Sequence, residues 1–161
     1  MRWLLGSDGM KIPLAQPDLT WLERKAVLDV LESTFLSLGP KVPEFERAMA
    51  QYIGVKHAIA VNSGTSGLHL IVRALGIGRN DEVITTPFSF ISSANCVLME
   101  GARPVFVDID PETYNIDPAR VEAAITPRTK AILGVDVFGR CAEWDRIGEI
   151  ARRRGLAVIE D

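Results

Sequence analysis

From Val55 onward the chain alternates short apolar runs with helix-patterned stretches, and nothing else in it constrains the fold so strongly. The runs Ala58–Val61, Glu82–Thr85, Pro104–Val107, Ala131–Val135 and Leu156–Ile159 are expected as strands. Helices are expected at Ser66–Leu75, Ile91–Glu100, Pro118–Ala124 and Trp144–Arg154. Unbroken Val, Ile, Leu and Ala runs fit strands buried on both faces. Their alternation with helices fits right-handed crossovers, hence a parallel sheet. The expected fold class is α/β, a mostly parallel sheet flanked by helices.

The segment before Val55 reads differently. Leu22, Val27, Leu28, Val30, Leu31 and Phe35 fall largely on one face of a helix over Leu19–Phe35. Gly39-Pro40 breaks that pattern. A second amphipathic helix is expected over Val42–Ile53, with Pro43 in its first turn and Gly54 at its end. Two parts result, a helical segment 1–54 and a larger domain 55–161. Met10 opens a more regular stretch than Met1–Gly9 and is a candidate start.

Composition narrows the function. The 161 residues are 47% hydrophobic and 24% charged, enough for a folded core. A net charge of -3 gives no electrostatic footprint for nucleic acid. Arg152-Arg153-Arg154 reads as the basic last turn of a helix. Cys96 and Cys141 are far apart, show no metal spacing and form no cluster with His57 or His69. A reduced, cytoplasmic protein with no metal is expected. No apolar run reaches the ~20 residues of a membrane helix, so no membrane partner is expected.

The ends of the strands carry the chemistry-bearing residues, where open α/β sheets bind ligands. Ser63-Gly64-Thr65-Ser66-Gly67 opens a helix. Gly64 permits close approach to an anion, the first amides of the helix favour negative charge, and the Thr65 and Ser66 hydroxyls add donors. The same residues also read as a simple helix cap. The three-glycine dinucleotide spacing and the Gly-Lys-Ser/Thr of a Walker A loop are both missing. Phe88 and Phe90 follow the second strand. Phe88 is expected in the core, and Phe90 is a candidate for stacking on a flat ring. Asp161 ends the last strand and can pair with a protonated ring nitrogen. Asp108, Asp110, Asp117 and Asp136 are expected to cap helices or shape loops. A phosphate turn and a nitrogen-binding aspartate are two of the three anchors of a pyridoxal phosphate (PLP) site. The third, a lysine that links the cofactor, does not follow Asp161 here.

The stretch Lys11–Asp161 resembles the amino-terminal part of the DegT/DnrJ/EryC1/StrS family of PLP-dependent sugar aminotransferases. The resemblance rests on Leu38-Gly39-Pro40 with Phe45-Glu46, on Ala60-Val61-Asn62-Ser63-Gly64-Thr65 and on Asp81-Glu82-Val83-Ile84-Thr85. Further on it rests on Gly101–Asp110, Thr129-Lys130-Ala131-Ile132 and Val158-Ile159-Glu160-Asp161. It implies the incomplete amino-terminal part of a fold type I large domain, cut before the lysine. Gly64, Thr65 and Ser66 would hold the phosphate, Phe90 would stack on the ring, and Asp161 would meet the ring nitrogen.

The activity implied is transfer of an amino group from an amino acid, with glutamate the expected donor, to a keto group of a nucleotide-linked sugar, in a homodimer. A sugar dehydratase of the same fold, with histidine for lysine, is the alternative within the family. A regulatory module and a non-catalytic remnant are the others. Lys11, Lys25, Lys41, Lys56 and Lys130 match no cofactor-linking position, so the 161 residues alone are expected to be inactive. They are also expected to fold poorly and to bind PLP weakly, with Ala58–Val61 cut off from the sheet. Asp136 stands where many relatives carry histidine, and Arg140-Cys141 where many carry a His-Pro or Pro pair.

Overall fold

The computed structural model describes residue 13 and residues 15–161. The chain divides into two units between Ala60 and Val61.

The first unit holds helices α1 (Trp21–Leu31) and α2 (Lys41–Ile53). Thr20 and Glu23 form a reciprocal capping box that satisfies two otherwise orphaned amides of α1. Gly54 ends α2 in the left-handed conformation, at φ 79°, that glycine adopts without penalty. Residues 58–61 are not a strand. The described residues give them no strand to pair with, and the amide of Ala60 instead donates to Glu46 Oε1 at 2.9 Å. An apolar run does not make a strand without a neighbour.

The second unit is a doubly wound sheet. After α3 (Gly64–Ala74) come β1 (Glu82–Thr85), α4 (Ser92–Met99), β2 (Arg103–Phe106), α5 (Pro118–Ala124), β3 (Thr129–Gly134), α6 (Trp144–Arg154) and β4 (Ala157–Glu160). All pairings are parallel, in the order β2-β1-β3-β4. The two-residue alternation of each strand divides the core in two. Val83, Ala131, Leu133 and Ile159 pack with Leu68 and Val72 of α3 and with Cys96 and Val97 of α4. Ile84 and Ile132 face the other way, against Val121 of α5 and Ile147, Ile150 and Ala151 of α6.

This arrangement fixes the ligand end of the sheet. The chain crosses from β1 to β2 in one direction, then returns past β1 to β3. The order therefore reverses between β1 and β3, and a crevice opens beyond their carboxyl ends. The basic run 152–154 forms the last turn of α6 before Gly155.

At the opposite end of the sheet Glu82 is buried. It accepts from Thr126 Oγ1 and from Arg128 Nη2 at 2.7 Å. These bonds hold its carboxyl below the usual carboxylate range.

Candidate functional site

Two loops flank the crevice, one after β1 and one after β3. Between them lies a cavity of about 420 Å³ lined by Phe88, Phe90, Asp136, Phe138 and Asp161 among others. That volume is in the range of small-molecule sites.

Asp161 continues β4 by one residue. Its amide donates to the Gly134 carbonyl at 2.9 Å, and its own carbonyl accepts from the Asp136 amide at 2.9 Å. Ile159 packs on the α3/α4 face, so two residues on the Asp161 side chain emerges on that face too. There it meets α4, where Ser93 donates to Asp161 Oδ2 at 2.6 Å.

Phe90 is 74% exposed at the cavity wall. Phe88 is not a core residue. Following Pro87, it lies past the carboxyl end of β1 and lines the cavity at 41% exposure. Its ring packs against Tyr114 (5.8 Å between centroids) and edge-on against Phe138 (6.2 Å).

Phe138 is 88% exposed and has φ 55°, a left-handed conformation costly for a bulky residue. Buried Asn115 holds that turn from beneath. Its Nδ2 donates to the Arg140 carbonyl at 2.9 Å, and its Oδ1 accepts from the Val137 amide at 3.1 Å.

Gly64, Thr65 and Ser66 are not among the residues lining this cavity. They form the first turn of α3, capped by Ser63, whose Oγ accepts from the Ser66 amide at 3.1 Å. α3 feeds β1 through residues 75–81, so its amino terminus lies at the carboxyl end of the sheet, on the face that Asp161 occupies. The amides of Gly64 and Thr65 have no intrahelical acceptor, as in any first turn. A Cβ at Gly64 would meet nothing within 4 Å, so no other part of the described chain packs against that position.

Asp108, Asp110, Asp117 and Asp136 each accept from backbone amides, as expected of residues that cap helices or shape loops, and Asp136 also lines the cavity. Asp117 caps α5 through the Ala119 amide at 2.8 Å, and Asp110 accepts from the Glu112 and Thr113 amides. Asp136 Oδ1 accepts from the Ala142 amide at 2.8 Å and from Trp144 Nε1 at 3.0 Å. Ser89, Ser93, Asn115 and Phe138 were not singled out by the sequence. Ser89 and Phe138 carried a signal, their place in loops after predicted strands.

These features make a candidate ligand site in a doubly wound α/β sheet: a cavity with a carboxylate held by Ser93 and an aromatic wall, with a helix amino terminus outside the cavity lining. Residues 17–161 match the DegT/DnrJ/EryC1/StrS aminotransferase family. A GDP-perosamine synthase from Caulobacter vibrioides is 51% identical over 96% of this chain and 42% of its own length. A UDP-2-acetamido-2-deoxy-3-oxo-D-glucuronate aminotransferase from Pseudomonas aeruginosa is 51% identical over 77% of this chain and 34% of its own. Spr1654 from Streptococcus pneumoniae, solved in a PLP form, superposes with a TM-score of 0.88 at 32% identity, covering 93% of this chain and 42% of that one. The chain belongs to the DegT/DnrJ/EryC1/StrS aminotransferase family. It spans about 40% of the length of the curated relatives it matches.

Proposed function

We propose that the protein containing this chain is a PLP-dependent aminotransferase. It moves an amino group from an amino acid, with glutamate the expected donor, to a keto group of a nucleotide-linked sugar. The observation that carries this reading is the Asp161 carboxylate, held by Ser93 in a cavity walled by Phe90.

The residues present fit the cofactor. The Gly64 and Thr65 amides at the amino terminus of α3 suit a phosphate, because the helix dipole there favours negative charge. The Thr65 and Ser66 hydroxyls add donors. Phe90 offers its exposed face to a flat ring. Asp161 offers an ionised oxygen to a ring N–H and so keeps that nitrogen protonated. When bound, PLP supplies an electron-withdrawing ring that stabilises negative charge developing on the substrate.

A homodimer and a cytoplasmic setting complete the reading. α1 and α2 bury none of their residues, which supports their being covered in an assembly. Among the described residues no helix is long and apolar enough to cross a membrane.

The test uses the protein as its gene encodes it. Purified protein should take up PLP with a visible absorption band and aminate a nucleotide-linked keto sugar at the expense of glutamate. Asp161→Asn should retain part of the cofactor affinity and lose about 100-fold or more in turnover, since a neutral amide cannot balance a protonated ring. Near-normal turnover of that variant would refute the role given to Asp161. Release of the sugar's hydroxyl as water, without amination, would place the protein among the dehydratases of this fold.

A further inference from the structure

Ser93 lies in the first turn of α4 and is 1% exposed. Its hydroxyl has one proton and two close neighbours, Asp161 Oδ2 at 2.6 Å and Ser89 Oγ at 2.7 Å. An ionised carboxylate only accepts, so the Ser93 proton points to Asp161. Ser89 must then donate to Ser93. With Asp161 as the acceptor, the chain runs from Ser89 to Ser93 to Asp161.

Such a chain has two effects. Bonds to an ionised acceptor are short and strong, and a second hydroxyl behind the first polarises it further. The terminal torsion of aspartate is otherwise broad, so an unheld carboxylate turns freely. With Oδ2 engaged, the carboxylate is oriented in advance and Oδ1 is left as the oxygen for an incoming N–H. Pre-orientation of this kind raises affinity by removing the ordering cost of binding.

We propose that Ser93 is a positioning residue that orients Asp161 for the cofactor's ring nitrogen, with Ser89 supporting it from behind. The inference rests on the PLP reading above. It concerns no step of the reaction and assigns Ser93 no contact with substrate.

The experiment compares wild type, Ser93→Ala, Ser93→Thr and Ser89→Ala in the protein as its gene encodes it. PLP affinity, the wavelength of the bound visible band and the melting temperature without cofactor are measured for each. Ser93→Ala should weaken PLP binding about tenfold, as for a lost bond to a charged group, and should shift the band. Ser93→Thr keeps the hydroxyl and should retain affinity within about twofold together with the wild-type band. Ser89→Ala should shift the band in the same direction by less.

Wild-type affinity and band in Ser93→Ala would overturn the proposal, as would equal impairment in the Ala and Thr variants. Should Ser93→Ala fail to fold, Ser89→Ala decides, and an unshifted band there overturns the proposal. A wild-type protein that takes up no PLP would overturn the underlying reading, and this inference with it, before Ser93 is reached.

Discussion

Trp144 occupies the space that a side chain at Gly134 would need, for a Cβ at Gly134 would lie 2.7 Å from Cη2 of the indole. The Gly134 carbonyl is also the acceptor for the Asp161 amide. The indole is fixed by its bond to Asp136. Gly134→Ala should therefore push the ring away and cost about 1–3 kcal/mol, as other overpacking changes do. In a Trp144→Phe background, where the smaller ring leaves room, the same change should cost less. A double-mutant cycle of melting temperatures checks this, and full additivity would contradict the contact.

Glu82 predicts an acid dependence. Its carboxyl is held low by Thr126 and then by Arg128, so the folded value lies below the unfolded one. The stabilisation is fully present above the unfolded value, ~4.3, and is lost as pH falls through the folded one. Glu82→Gln should melt lower than wild type at pH 7, and the gap should narrow below about pH 4. Melting curves across that range measure it. A gap that stays constant would show that the charge contributes nothing.

The cysteines should differ in reactivity. Cys96 is fully buried, and burial, with a smaller contribution from the Asp161 charge, pushes its thiol up to about 11. Cys141 is exposed. Since the thiolate is the nucleophile, iodoacetamide at pH 8 should label Cys141 alone in the folded protein and both residues in denaturant. Peptide mass mapping reads this out. Prompt labelling of Cys96 under native conditions would contradict the packing around α4.

The sheet was legible in the sequence because each of its strands is an apolar run flanked by turn residues. The run 58–61 shows the limit of that signal. It has the composition of a strand, yet pairing is a property of neighbours that composition does not contain. In the same way, Phe90 and Asp161 were legible as candidates because both follow strand ends. Ser93 was not, since its partner lies 68 positions away. Phe88 misled because an aromatic beside a β-run looks like core, whereas the segment after Pro87 leaves it at the cavity wall. Glu82 was legible only as the first residue of an expected strand, since its partners Thr126 and Arg128 lie 44 and 46 positions away.

Glu82 also bears on synthesis. Its partner Arg128 lies 46 positions downstream. At ~5–20 residues per second, β1 leaves the ribosome about 2–9 s before β3 can cover its open side. For that interval the central strand of the finished sheet is a bare edge, able to pair with any other extended chain. The acid at its start then keeps it hydrated and discourages premature association. The charge that a buried position makes expensive thus serves as a gatekeeper on the nascent chain.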